Sequence, residues 1–306
     1  MKRPLLYSLL VIVMMIWGFN IIAIKIIVST LPTITITALR VFMAFLALLP
    51  ILYYKKLFRI LSKKEMAYVL GIALTGVLGH QVFMSVGLNY TTATNGGVIL
   101  GTVPIATSVA AILFLGDKLT ISRVLGLLFG FSGVTFIMFA NASVPIGFSI
   151  GDLYMCIVVV LQALSFVLIK RLSESVEVIY ITGITQLFGF GMLLSLSIVI
   201  EPNGISLLKY GSTTVWLLFL GSGLIATGLG HLLYNYAIQQ VGASKSALFL
   251  NLSPFFAILG SALFLGEPIF AGQWIAFGLI VIGVILGAGM LEQINIRSLR
   301  MILKKQ

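Results

Sequence analysis

Apolar runs of about twenty residues, the length a helix needs to cross a bilayer, follow one another along nearly the whole chain. Ten segments meet that length, at about 5–27, 33–54, 66–88, 93–115, 122–140, 150–169, 178–200, 213–237, 243–265 and 271–290. Near Asn89–Thr94 and Gln239–Ser244 the turn is marked by a polar patch and a glycine rather than by a charge cluster. The pattern predicts an all-α integral membrane protein with ten transmembrane helices and almost nothing left for a soluble domain. The first run, Leu5 to Ile24, is too long for the apolar core of a signal peptide and no small-residue cleavage site follows it, so it reads as a spanning helix that stays. The basic stretch after Met290, with Arg297, Arg300, Lys304 and Lys305, is the longest polar segment and suits a short helix lying on anionic lipid.

Two of these stretches are versions of one another. Gly79 to Asp117 reads GHQVFMSVGLNYTTATNGGVILGTVPIATSVAAILFLGD, and Gly230 to Glu267 reads GHLLYNYAIQQVGASKSALFLNLSPFFAILGSALFLGE. His80 pairs with His231, Pro104 with Pro254, and Phe114-Leu115-Gly116-Asp117 with Phe264-Leu265-Gly266-Glu267. The offset is 151 at the histidines and 150 from Ala93 and Ala243 onward. An internal repeat in an apolar chain marks a transporter built from two halves, with its site at the seam. The expected division is 1–141 for the first five-helix repeat, 142–290 for the second, and 291–306 for a basic cytoplasmic tail.

Composition agrees with the pattern. Charged residues make up 9% of the chain and hydrophobic ones 60%, where a soluble domain carries roughly a quarter charged. The net charge of +11 sits in short clusters between apolar runs, with no basic face interleaved with stacking aromatics, so no nucleic-acid partner is implied. One cysteine, Cys156, excludes an internal disulfide and any multi-cysteine metal site, and no cofactor is implied. With the N-terminus inside, 16 of 19 Lys and Arg are cytoplasmic; Lys209 is outside, and Lys25 and Arg40 lie within helices. The positive-inside rule favours that orientation, with both termini cytoplasmic in a cell membrane. Five helices per half is an odd number, so the second copy enters from the opposite side and the repeat is inverted, with its pseudo-two-fold axis in the membrane plane.

Several residues carry a resemblance. Trp17-Gly18-Phe19-Asn20 in helix 1, Arg40 in helix 2, Ala-x-x-x-Gly-Val-Ile-Leu-x-x-x-Pro from Ala93 to Pro104 in helix 4, and the duplicated Phe-Leu-Gly-Asp/Glu ends resemble the EamA family of the drug/metabolite transporter superfamily. The resemblance implies two inverted five-helix halves and a central cavity lined mainly by helices 1, 3, 4, 6, 8 and 9, with helices 5 and 10 peripheral. It also implies transport of small polar or amphipathic metabolites, often export of amino acids. The second half departs from the pattern: no arginine stands near Gln186, where the Arg40 counterpart falls, and helix 6 lacks the tryptophan often found there.

Polar residues in hydrocarbon are costly and turn towards protein or water. His231, Tyr234 and Asn235 share one face of helix 8; Trp17 and Asn20 share a face of helix 1; His80 and Gln81 sit together on helix 3. These seven residues are the candidate substrate site, and no catalytic or metal site is expected. Each histidine either binds solute, or carries a proton near neutral pH, or hydrogen-bonds a neighbouring helix and only packs. Arg40 has two readings as well: an attractor for an anionic group, or a partner of backbone carbonyls. Lys25 is placed to snorkel to the headgroups. Asp117, Asp152, Glu201 and Glu267 fall at helix ends, and Asp117 and Glu267 read as loop-fixing groups. No Asp or Glu lies mid-membrane, so proton coupling, if present, rests on a histidine; the alternative is an uncoupled carrier. Pro104 and Pro254 each predict a kink in mid-helix. Gly126, Gly130 and Gly133, with Gly283 and Gly287, predict close helix packing.

A secondary carrier with a small-molecule substrate, and an exporter in direction, is the first reading. A membrane-embedded enzyme lacks a nucleophile–base pair or a metal set. A structural or sensory membrane protein has no need of an inverted repeat with polar seam residues. No phosphate-binding loop of an ATP-driven pump is present.

Overall fold

With no water in the bilayer core, each backbone N–H and C=O has to find its partner within the chain, and a helix does this segment by segment. A computed structural model describes residues 3–91, 93–139, 149–265, 269 and 271–289, and among them every regular element is helical. The tail with Arg297, Arg300, Lys304 and Lys305, and Glu267, lie outside the described residues. Among the described residues, seven segments are long and apolar enough to cross a membrane: Pro4–Val28, Thr33–Tyr54, Lys63–Gly87, Ile150–Leu172, Val178–Ile200, Thr213–Val241 and Ala243–Phe264. Three apolar helices are shorter: Val103–Leu115, Ile121–Ile137 and Ala271–Gly287.

The elements are α1 (Arg3–Val28), α2 (Thr33–Tyr54), α3 (Lys63–Ile72, Ala73–Gly79 and His80–Tyr90), α4 (Ala93–Leu100 and Val103–Leu115) and α5 (Ile121–Phe139). The second half repeats them as α6 (Ile150–Leu172), α7 (Val178–Ile200), α8 (Thr213–Leu220, Gly221–Leu229 and Gly230–Val241), α9 (Ala243–Leu248, Phe249–Leu252 and Ser253–Leu265) and α10 (Ala271–Gly287). One helical turn, Gly204–Leu207, stands between α7 and α8.

Packing between the halves is reciprocal. Helix α1 packs on α8 and α9, and α6 packs on α3 and α4; α2 pairs with α7, and α5 with α10. A pseudo-two-fold axis relating the halves produces this pattern. The glycines supply the close approaches. A Cβ on Gly126 would lie 2.4 Å from Gly287 N and Cα, and one on Gly283 would lie 2.5 Å from Gly130 N, so α5 and α10 meet backbone to backbone, as the small-residue spacing predicts. Gly18 does the same for α1 against α9, where a Cβ would meet Phe256 Cβ at 2.5 Å.

The helices differ from the sequence expectation in two matched places. Where α3 and α8 read as continuous, each contains a π-helical stretch, Ala73–Gly79 and Gly221–Leu229. The N–H groups of His80 and Gly230 there reach back five residues, to Thr75 and Ile225. Where α4 and α9 were expected to kink at proline, α4 is interrupted by a turn at Gly101–Thr102 and α9 tightens into a 3-10 stretch, Phe249–Leu252. The second segments begin at Val103 and Ser253, and Pro104 and Pro254 follow at the second position. In a first turn the missing proline N–H has no intrahelical partner to lose, so proline starts these segments rather than bending them.

Acidic groups fix helix ends. Glu201, at the end of α7, accepts from the N–H groups of Ile34 (3.0 Å) and Thr35 (2.8 Å) and from the Thr35 hydroxyl (2.7 Å), capping α2. Asp152 forms a capping box with Ser149 at the start of α6 and accepts from the Thr91 hydroxyl. Asp117 accepts from Arg123 at 3.3 Å and Ser244 at 3.2 Å, joining the end of α4 to α9.

Candidate functional site

The candidate site gathers on the contact between α1 and α8. The π stretch of α8 creates it: because Gly230 N–H bonds to Ile225, the Ala226 carbonyl is not its partner. The Trp17 indole N–H donates to that carbonyl at 2.8 Å. The Trp17 ring lies 5.1 Å from the His231 ring and 5.1 Å from the Tyr234 ring, tilted in both cases. Tyr234 is fully buried, also touches Phe166 of α6 at 5.1 Å, and its hydroxyl has no hydrogen-bond partner. Rings in contact at these distances leave no room between them for a solute, so this seam is closed.

His231 Nδ1 lies 2.8 Å from the Thr227 carbonyl; a carbonyl only accepts, so Nδ1 carries the hydrogen and Nε2 remains as the outward-acting nitrogen. Asn235 is buried and its Nδ2 donates to Thr182 Oγ1 of α7 at 3.1 Å, while that hydroxyl donates to the Val178 carbonyl at 2.8 Å. His80 stands directly after the π stretch of α3, as His231 stands just after that of α8. Among the described residues, Asn20, His80 and Gln81 are half-buried, and their side chains make no hydrogen bond to another protein group. Of the seven candidate residues, then, the structure joins Trp17, His231 and Tyr234 by contact, sets His80 at the matching place on α3, ties Asn235 to α7, and gives the side chains of Asn20 and Gln81 no hydrogen bond.

Three participants were not among the candidates: Thr182, Phe166 and the Ala226 carbonyl. The last is a backbone group exposed by a π stretch, and the only trace of it in the chain is the glycine density of Gly221, Gly223, Gly228 and Gly230. Arg40 is a fourth case. Its backbone packs against the α8 π stretch, where a Cβ on Gly223 would lie 3.3 Å from Arg40 O. Its side chain lines a small cavity between α1 and α2 with Ile24, Ile27, Val28, Ile36 and Thr37, holding about 10 Å³ of water-accessible space. That is close to the least that seats one water molecule.

Duplicated helices, repeated π stretches, and a polar cluster on the contact between halves define a multi-pass helical membrane protein of two-fold build. Comparison with known families places it within that class. Residues 5–139 and again 149–288 match the EamA-like transporter family, and the chain belongs to it. Uncharacterized transporter YyaM of Bacillus subtilis (strain 168) is 30% identical over 236 residues, 76% of each chain. Uncharacterized transporter YetK of the same organism is 26% identical, covering 91% of this chain and 85% of its own. The chloroplastic WAT1-related protein At3g02690 of Arabidopsis thaliana is 24% identical, covering 88% of this chain and 66% of its own. A solved crystal structure shares the fold with a TM-score of 0.78 at 17% identity, covering 94% of this chain and 97% of the other.

Proposed function

We propose that the protein is a secondary carrier that exports small metabolites such as amino acids across the cell membrane by alternating access of two inverted five-helix halves. On this reading the three shorter apolar helices span as well, giving ten crossings with both termini cytoplasmic. The observation that carries the reading is the pairing of irregularities: a π stretch precedes each of His80 and His231, and before the matched prolines α4 is interrupted by a turn while α9 tightens into a 3-10 stretch. Carriers built from inverted repeats place interrupted helices at the site between their halves. Trp17, Asn20, His80, Gln81, His231, Tyr234 and Asn235 then line the path. The closed α1–α8 contact is one end of the cycle, and the substrate enters when it parts. An amino acid suits the wall, with indole and phenol faces for an apolar side chain and amide and imidazole groups for its polar end.

Counterflow in proteoliposomes tests this. A carrier loaded with one unlabelled L-amino acid accumulates the labelled form and returns it chemically unchanged. Recovery of an altered product would make the protein an enzyme. Absence of exchange with every L-amino acid would remove that substrate class. Reporter fusions at Asn89 and Gln240 test the topology: they report opposite compartments, and a shared compartment refutes the inversion.

A further inference from the structure

Arg40 is 7% exposed and lies seven residues into α2, about 10 Å along the helix from Thr33. Among the described residues its guanidinium makes no hydrogen bond and no ion pair, to carbonyl or carboxylate. The two ion pairs described are Arg59–Glu65 and Arg123–Asp117. Glu201 is the acid bound to the first turn of α2, and the Ile34 and Thr35 groups occupy it. The packing alternative read from the sequence, a bond to backbone carbonyls, is therefore not what the structure shows. A buried, unpaired cation is among the most costly features a fold can carry. The fold itself does not ask for it: near the pseudo-equivalent place on α7 stands Gln186, buried and neutral.

We propose that Arg40 is the anchor for a carboxylate of the transported solute, reached through the cavity between α1 and α2. The inference rests on the carrier reading and narrows its substrate to anionic or zwitterionic molecules. A guanidinium offers a planar fork that matches a carboxylate bidentately. The surrounding Ile24, Ile27, Val28 and Ile36 exclude water and strengthen that pairing. His231 donates from Nδ1 to Thr227, which leaves Nε2 as an acceptor for the ammonium of a zwitterion whose carboxylate sits on Arg40. The cavity seats about one water molecule as it stands, so the α1 and α2 ends part to admit the solute.

The experiment pairs each common L-amino acid with its amide. Thermal melting of the purified protein in lipid-free detergent and counterflow in proteoliposomes are read for wild type, Arg40→Gln and Arg40→Lys. In wild type the acids stabilise and exchange, and their amides do so roughly tenfold or more weakly. Arg40→Gln loses that preference yet melts, without ligand, no lower than wild type, because an uncompensated charge is gone. Arg40→Lys keeps the preference at reduced affinity. Equal action of acids and amides, with Arg40→Gln unchanged, overturns the inference and leaves the carrier standing. A ligand-free melting temperature several degrees lower in Arg40→Gln, with the preference kept, makes Arg40 structural and also overturns it. Added phosphatidylglycerol that stabilises wild type but not Arg40→Gln, with the amino acids silent, makes the partner a lipid headgroup and overturns the solute assignment. No exchange of any solute refutes the carrier reading instead, and Arg40→Gln melting below wild type then refutes the anchor too.

Discussion

Trp17→Phe separates the indole hydrogen bond from the ring contacts around it. Phenylalanine keeps an aromatic face against His231 and Tyr234, both 5.1 Å from Trp17, and removes only the N–H that reaches Ala226 O at 2.8 Å. Ala226 is buried, so its carbonyl loses a partner that water does not replace. A lost hydrogen bond with a buried acceptor costs roughly 1–3 kcal/mol. The π stretch lowers that figure, because a small shift lets the Gly230 N–H return to Ala226. About 1 kcal/mol is the expected net loss at the seam, or roughly fivefold in the population of opened α1–α8 contact, given that 1.4 kcal/mol is tenfold. Hydrogen–deuterium exchange reads this without any substrate. Amides of Gly221–His231 exchange about fivefold faster in Trp17→Phe, while those of the α5–α10 interface keep their wild-type rate. Equal exchange across Gly221–His231 in the two proteins would show that the indole bond does not hold the seam, and the closed-state argument falls with it.

Asn235→Ala weakens counterflow by up to about tenfold, from a bond worth roughly 0.5–1.5 kcal/mol to Thr182; Asn235→Ala/Thr182→Val is no worse than the poorer single variant, and additive losses would refute the pairing. Gly126→Ala sets a Cβ 2.4 Å from the Gly287 backbone and costs about 1–3 kcal/mol of stability, seen as a lower melting temperature, with solute preference unchanged in the protein that survives. Glu201→Gln weakens the cap of α2 by about 0.3–1 kcal/mol and speeds amide exchange at Ile34 and Thr35 first; loss confined to distant helices would refute the cap.

Helix positions, the duplication and the glycine interface were legible because each depends on residue type at regular spacing. Apolar run length marks α1, α2, α6 and α7 to within a few residues, and Gly126, Gly130 and Gly133 mark the face that meets α10. The π stretches were not legible. They change which N–H meets which carbonyl without changing the apolar pattern, so Leu74, Thr75 and Gly76 read like any turn of an α-helix. Proline was legible as an interruption but not as a start, since whether Pro104 kinks a helix or opens one depends on whether the turn at Gly101–Thr102 closes. The seven candidate residues were found by cost: polar groups in hydrocarbon need a reason. Spacing places Tyr234 and Asn235 on one face, but it does not say that Asn235 turns to α7 while Tyr234 meets Trp17. Arg40 shows the same limit from the other side, because the sequence cannot tell a paired guanidinium from an unpaired one.

A carrier with two identical halves would hold its two conformations at equal energy. Here the backbone devices are shared and the side chains are not. On one seam, α1 against α8, an indole bonds the π stretch and three rings meet. On the matching seam, α6 against α3, Ser165 lies against Gly76, so close that a Cβ there would come 2.2 Å from its Oγ, and the contact is glycine packing. Arg40 on α2 likewise has a neutral residue, Gln186, near its counterpart position on α7. On the proposed reading the inverted repeat supplies two exchangeable shapes, and the unequal residues decide which one rests and where a charged group is held. About 1 kcal/mol from the indole bond biases the equilibrium roughly fivefold. On the proposed reading the same bond breaks and reforms once per cycle, so a stronger closure at Trp17 slows turnover. A modest bond and an unpaired cation beside the same seam are what the proposed carrier needs if solute binding, rather than the fold alone, is to move it between shapes.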